Sequence, residues 1–474
     1  MKKSIDTSIF YALMLLFFLC LGTESKAVNY NFQFQIEGLN IPEKCVLGYY
    51  PGSLTYAVDS VNVAKGGHIR FKGQRNLANG MYFLMIPNIG FIDFIVYEDY
   101  QFQVKTNVAN LNKNLSVKGS KENAAYFAYQ NFWETKRAEI EQKTEMLKLL
   151  RKATNDPAVI QESQQKIYEL RQSIPAKAYE LMEANTTTFF CMLMEANDLP
   201  IVPSSIPVRL NNATNPIYVQ YVKDHYWDNF DFNESGLLRT KIFDTKATFF
   251  FERLTEPNVE GYIQSVDILA EKSRVNPDMM RNTLRWFVTI FENTKNKISQ
   301  NVFVHVFDTY FSSPEENGID KATFSRIAQK ANYFRPTLLG NKAPEITLLN
   351  EKDKPQSLHA FQAKYTMLYF FSPLCDKCRT VTPKVVELFK QYEAKGLKGF
   401  AVCTDDKKEY WKAYIKDNQL PWTCVIDTEA DLTVETQYAP NSLPNIFILD
   451  KDKKILGTRI EFEELESALK ALIK

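Results

Sequence analysis

The stretch from Thr366 to Tyr392 constrains this chain more than any other. Thr366 to Phe371 is a nearly continuous apolar run, as expected of a parallel strand buried on both faces. Ser372-Pro373-Leu374 and Cys375-Asp376-Lys377-Cys378 follow, and Val381, Val385, Leu388, Phe389 and Tyr392 then line one face of a helix. A strand that runs through a Cys-x-x-Cys step into a helix sets its first cysteine at the helix N-terminus. Cysteines three apart lie on adjacent turns there, so their sulfurs can meet. Backbone N–H groups and the helix dipole favour negative charge at that point, and cysteines so placed have pKa values lowered from about 8.5 into a range of about 3.5–7.5. Cys375 is therefore the candidate nucleophile toward a substrate disulfide. Cys378, the more buried of the two, is the candidate resolving thiol that attacks Cys375 and releases the product.

The neighbours of the pair tune it. Lys377 and Arg379 add positive charge that favours a thiolate, and Asp376 opposes them, so the net sign stays open. The reduction potential stays open as well, within the span of about −270 to −120 mV known for such pairs. Pro383, inside the helix, predicts a kink. Pro444, just before an apolar strand Asn445–Asp450, is a candidate cis-proline whose backbone would lie beside Cys375 and pair with an extended substrate segment.

Around this core, Ile346–Leu349 and Gly399–Val402 read as further strands and Lys408–Asn418 as a helix. Phe462, Leu465, Leu469 and Leu472 mark a final amphipathic helix. Strands alternating with helices predict an α/β sheet with helices on both faces over residues 336–474, after a linker opened by Arg335-Pro336.

The rest of the 474 residues divides by pattern. Residues 28–119 read as an antiparallel sheet or sandwich, with Tyr30, Phe32, Phe34 and Ile36 on one face and turns at Pro51-Gly52, Gly66-Gly67 and Asn79-Gly80. Residues 120–335 are mostly helical in character, opening with a hairpin that restarts at Asp156-Pro157 and carrying polar breaks at Asn211–Pro216 and Ser312–Gly318. The fold class is thus multi-domain: a β domain, a helical middle and a C-terminal α/β domain.

Residues 1–27 form an export signal: Lys2 and Lys3, an apolar stretch from Ile9 to Leu21, then Ser25-Lys26-Ala27 as the cleavage site. The stretch is shorter than the ~20 residues a spanning helix needs. Lipid attachment at Cys20 is the alternative, but Leu19 and Phe17 stand where a lipoprotein signal has a small residue and a leucine, so cleavage is preferred. No second run is long enough to span a bilayer, so the mature chain is expected outside the cytoplasm, in the periplasm or envelope. A net charge of +1 points to neither nucleic acid nor an anionic membrane.

Seven cysteines occur, and only the 375/378 pair has informative spacing. Zinc is disfavoured as its role, because a structural site wants four ligands and no second pair or histidine cluster exists. Cys403 and Cys424 could pair but read better as two buried thiols. Cys45 and Cys191 carry no motif.

The 336–474 segment resembles the thioredoxin superfamily, and within it the extracytoplasmic TlpA/ResA-type branch. The resemblance rests on Gly340-Asn341-Lys342-Ala343-Pro344-Glu345-Ile346, the strand-Cys-x-x-Cys-helix unit, Pro383, and Leu443-Pro444 followed by Ile446-Phe447-Ile448-Leu449-Asp450. The first 335 residues resemble accessory regions of multi-domain envelope thioredoxins of Bacteroides-like bacteria, through Asp59-Ser60, Phe71-Lys72-Gly73 and Gly119-Ser120…Asn123. The resemblance implies dithiol exchange with protein disulfides, electrons from an unnamed membrane donor, and no cofactor beyond the cysteine pair. Peroxiredoxins share the opening motif, but their Pro-x-x-x-Thr-x-x-Cys pattern is missing: Leu368 and Ser372 stand in its places. Departures from the branch are the Phe371-Ser372-Pro373-Leu374 approach, the Asp376-Lys377 dipeptide, Leu443 before the proline, and Tyr369 where many relatives have a buried acid or amide. A non-catalytic binding module on the same fold is the alternative reading, weakened by the presence of both cysteines.

Overall fold

The computed structural model describes residues 29–153, 156–211, 213–292, 297–405, 407–428, 434–440 and 442–473. The expected export segment, with Cys20 and the Ser25-Lys26-Ala27 site, lies outside the described residues. The chain separates into two compact units. One holds the described residues up to Asp198 with Gly236–Phe243, the other Leu199–Ser235 with Asp244 onward.

The first unit begins as a β-sandwich. Strands β1 (Asn29–Glu37), β2 (Cys45–Tyr49), β3 (Tyr56–Val61), β4 (His68–Gln74), β5 (Gly80–Ile86), β6 (Gly90–Val96), β7 (Gln101–Asn107) and β8 (Ser116–Lys118) form two sheets, ordered β4-β1-β7-β8 and β3-β2-β5-β6. Pairing is antiparallel except for β1 with β7, which run parallel. Alternation along β1 buries Phe32, Phe34 and Ile36, and these join Leu84, Phe94 and Phe102 in one core between the sheets. The Phe32 and Phe102 rings stack at 4.7 Å.

Gly119 turns the chain out of β8 at φ +86, where a Cβ would stand 2.7 Å from the Gln101 carbonyl. Helix α1 (Lys121–Ala153) starts there, capped by the Ser120 hydroxyl on Asn123 N–H and the Asp99 carboxylate on Lys121 N–H. The Asn123 amide binds Ile95 twice: its Oδ1 accepts from the Ile95 N–H at 2.7 Å and its Nδ2 donates to the Ile95 carbonyl at 2.8 Å. Helix α2 (Pro157–Glu183) pairs with α1, started by Asp156 and Pro157, and α3 (Phe189–Asn197) follows. The buried Glu122 carboxylate accepts from the N–H groups of Phe189 and Phe190, both at 2.9 Å, and so caps α3 from α1.

The second unit holds most of the remaining helical residues and the α/β domain; the helix Ile242–Phe249 starts at the end of the first unit's Gly236–Phe243 segment. A short hairpin, β9 (Arg209–Leu210) with β10 (Ala213–Thr214), occupies the expected polar break. The helices are α4 (Pro216–His225), α5 (Ile242–Phe249), α6 (Val259–Ser273), α7 (Pro277–Phe291), α8 (Ile298–Tyr310), α9 (Pro314–Asn317) and α10 (Lys321–Phe334). Asn215, Asn258, Asn276, Ser313 and Asp320 cap five of them.

The C-terminal sheet comprises β11 (Thr347–Asn350), β12 (Pro355–Ser357), β13 (Tyr365–Phe371), β14 (Leu397–Cys403), β15 (Thr423–Ile426), β16 (Asn445–Leu449) and β17 (Ile455–Ile460). Its order is β12-β11-β15-β14-β13-β16-β17, with β13, β14 and β15 parallel. Strand β13 explains its own composition. Met367, Tyr369 and Phe371 face one core and Leu368 and Phe370 the other. Helices α11 (Asp376–Glu393), α12 (Lys408–Asp417) and α13 (Phe462–Leu472) all contribute to the first core. The helical segment Val434–Tyr438 packs in the second core, so helical structure lies on both faces as expected. The steps β13→β14→β15 go the same way across the sheet, so right-handed crossovers put α11 and α12 on one side. Among the described residues, the other face is covered by Ala343, Ile346, Leu358, Phe361 and the single turn Val434–Tyr438.

Replacing Glu122 with Ala should leave the Phe189 and Phe190 N–H groups buried without an acceptor, at about 1–3 kcal/mol for each group left unpaired. Urea unfolding of the Glu122→Ala chain should show a lower midpoint at an unchanged slope.

Candidate active site

The carboxyl end of β13 delivers the site. Thr404 N–H donates to the Phe371 carbonyl, continuing the β13–β14 ladder one step past the strands. The Ser372 hydroxyl then accepts from Leu374 N–H at 3.0 Å and donates to Asp405 Oδ2 at 3.1 Å, fixing a tight turn. Cys375 N–H closes that turn on the Ser372 carbonyl at 3.2 Å. Cys375 is the N-cap of α11, with extended backbone (φ −80, ψ 118). Its sulfur takes the capping place of a Ser or Asp oxygen and accepts from Cys378 N–H at 3.3 Å.

The two cysteines sit in different environments. Cys375 is half-buried, beside the exposed Leu374, while Cys378 is fully buried. Burial pushes the Cys378 thiol up to about 12, its bond with Cys375 adds to the rise, and the Ser372 N–H pulls the other way. The Cys375 sulfur also lies 3.7 Å from the Leu443 carbonyl, and the Leu443–Pro444 peptide is cis.

The flanking charges are already partnered. Arg379 pairs with Asp376 and donates to the Pro373 carbonyl at 3.4 Å. Lys377 Nζ meets Glu461 Oε2, at the foot of α13, at 2.8 Å. Each cation is thus paired with a carboxylate. Pro383 is the eighth residue of α11 and removes the N–H that would otherwise bond the Arg379 carbonyl.

Behind Cys378 lies a group of buried hydroxyls. Tyr369 meets Thr382 Oγ1 at 2.6 Å, Tyr414 meets the same oxygen at 2.8 Å, and the Tyr414 hydroxyl donates to the Cys378 carbonyl at 3.1 Å. Burial pushes the Tyr369 hydroxyl far above its ordinary range and Tyr414 up to about 12. The sequence singles out Tyr369 but neither Thr382 nor Tyr414. A hydroxyl one turn after Cys378 is the available signal for Thr382; Tyr414, from another helix, leaves none.

The other cysteines lie outside the Cys375/Cys378 step, with Cys403 and Cys424 in the same core as Cys378. All six described cysteines carry free thiols. Cys403 pairs across the sheet with Ile426, which leaves Cys424 in the diagonal position. Such neighbours lie about 7–8 Å apart, beyond the usual disulfide span of about 4.4–6.8 Å. Trp411 and Trp422 are buried in the same core. Among the described residues no three or more His, Cys, Asp or Glu side chains converge as metal ligands, and no helix is long and apolar enough to cross a membrane.

Known proteins share parts of this architecture. Residues 339–457 match the AhpC/TSA family. Residues 137–333 and 30–126 match two families described as domains of unknown function, DUF5106 and DUF4369. The chain is 27% identical over 136 residues to the thiol-disulfide oxidoreductase ResA of Bacillus thuringiensis subsp. konkukian, covering 29% of this chain and 77% of that protein. Among solved structures, a thioredoxin-like protein from Bacteroides caccae aligns over 58% of this chain and 98% of its own, at 15% identity and a TM-score of 0.44. A thiol-disulfide oxidoreductase from Bacteroides fragilis aligns over 28% of this chain and 99% of its own, at 31% identity and a TM-score of 0.26.

Burial holds the Cys378 thiol protonated near neutral pH. Brief alkylation of the reduced native chain at pH 7 should therefore label Cys375 and spare Cys378, as read by peptide mass spectrometry. Labelling of Cys378 should climb with pH, because its thiolate fraction grows as its raised pKa is approached.

Proposed function

We propose, from the premise that residues 339–457 are a thioredoxin-like domain homologous to the ResA thiol–disulfide oxidoreductases, that this chain reduces protein disulfides in the cell envelope through Cys375 and Cys378. One observation carries the reading: a half-buried thiol at a helix N-terminus whose sulfur accepts the N–H of a second, fully buried cysteine. The half-buried position lets a substrate disulfide reach Cys375. The N–H groups of the first turn favour negative sulfur there. Cys375 attacks, one substrate sulfur leaves, and a mixed disulfide forms. Cys378 then attacks the Cys375 sulfur, releases the second substrate thiol and leaves the pair oxidised.

The Leu443 carbonyl, next to the Cys375 sulfur and preceding Pro444, is the main-chain acceptor that an extended substrate segment would meet first. Asp376, Lys377 and Arg379 act as one charge group with Glu461, so their tuning follows from pairs rather than from isolated charges. Export rests on Lys2, Lys3, the Ile9–Leu21 stretch and Ser25-Lys26-Ala27. A reductase in that compartment needs electrons from a membrane donor. The sandwich and the helical middle, residues 28–335, are read as an accessory part that selects partners or drives oligomerisation.

Insulin-disulfide reduction by dithiothreitol, followed by turbidity, tests this. The chain should accelerate precipitation, and Cys375→Ser should return it to the rate of dithiothreitol alone. Equal rates with and without the parent chain would remove the reductase reading.

A further inference from the structure

The hydroxyls behind Cys378 are costly to bury. Phenylalanine at 369 and 414 and valine at 382 would fill much the same space without removing three polar groups from water. A phenol has one proton, and Tyr414 shares its proton between Thr382 Oγ1, 2.8 Å away, and the Cys378 carbonyl, 3.1 Å away. The 2.6 Å contact between Tyr369 and Thr382 takes the proton of either hydroxyl. The chain runs Tyr369 to Thr382 to Tyr414 and ends on the main chain of the resolving cysteine.

The first turn of α11 has reason to need that support. Its carbonyls at Cys378 and Arg379 would ordinarily accept from residues four further on. Pro383 removes the second of these donors. Tyr414, from α12, supplies a bond from the side to the carbonyl immediately before the gap, and Tyr369, from β13, anchors the chain to the central strand.

We propose that Tyr369, Thr382 and Tyr414 are positioning residues for the resolving step, holding Cys378 where its sulfur can reach the Cys375 sulfur of a mixed disulfide. This rests on the oxidoreductase reading and names residues that the reading does not require. In the step they serve, the Cys378–Cys375 bond forms and the bond from Cys375 to the substrate sulfur breaks. Cys378 is oxidised, the substrate sulfur is reduced, and the Cys378 proton passes to the departing thiolate.

The reduced full chain mixed with dithiobis(nitrobenzoic acid) in a stopped-flow instrument separates the two events. A first coloured thiolate leaves when Cys375 attacks, and a second when Cys378 resolves; the Cys375→Ser/Cys378→Ser chain corrects for the buried thiols. Tyr414→Phe and Thr382→Val should slow the second phase by about tenfold, the rate equivalent of one ordinary hydrogen bond, and leave the first within about twofold. Thr382→Ser, which keeps the hydroxyl, should restore the second phase. An unchanged second phase in both hydroxyl-free variants, or an equal slowing of both phases, would overturn the proposal. A parent chain that releases thiolate in neither phase would overturn the oxidoreductase reading itself.

Discussion

Everything at the site depends on β13 being covered on both faces. A strand with Met367, Tyr369 and Phe371 on one side and Leu368 and Phe370 on the other cannot lie at a surface. It has to be central, with parallel β14 on one flank and antiparallel β16 on the other. That position points its carboxyl end, and therefore Cys375, at the N-terminus of α11 and at the loop that enters β16. The approach of the Cys375 sulfur to the Leu443 carbonyl follows from the same arrangement, since Leu443 lies two residues before the start of β16. Burial of the strand and the half-buried position of the Cys375 thiol are two results of one packing constraint.

The polar groups around the pair divide by depth. At the surface, Asp376, Lys377, Arg379 and Glu461 neutralise one another in two ion pairs, whose interactions water and salt weaken. Below, the Tyr414 hydroxyl donates to the carbonyl of the buried Cys378. Hydroxyls can pass on hydrogen bonds without the larger desolvation cost of an ion. The Cys375 end of this domain therefore combines a mutually compensated charged rim with a floor of hydrogen-bonded hydroxyls.

Much of this arrangement is legible in the amino-acid sequence, and the limits have physical causes. The unbroken apolar run of β13, the Cys-x-x-Cys step and the helix face behind it are local patterns, and local patterns can be read directly from residue order. The alternation of β1 and the helix start at Asp156-Pro157 are legible for the same reason. Lys377 and Glu461 are separated by 84 residues, so their pairing is invisible to any local pattern. Tyr414 looks like an ordinary apolar-face residue of α12, and only its placement over Cys378 distinguishes it. The parallel match of β1 with β7 and the common side taken by α11 and α12 are properties of strand order, which periodicity does not encode.

The two bonds between Asn123 and Ile95 have a consequence for how the sandwich can associate. Strand β6 ends its sheet, and the outer main-chain groups of such a strand are ready to accept another chain. The Asn123 amide offers Ile95 one donor and one acceptor, as the peptide of a neighbouring strand would. It behaves as a one-residue counterfeit strand, and the start of α1 lies where a real one would have to pass. Sheet extension past Ile95 is therefore closed.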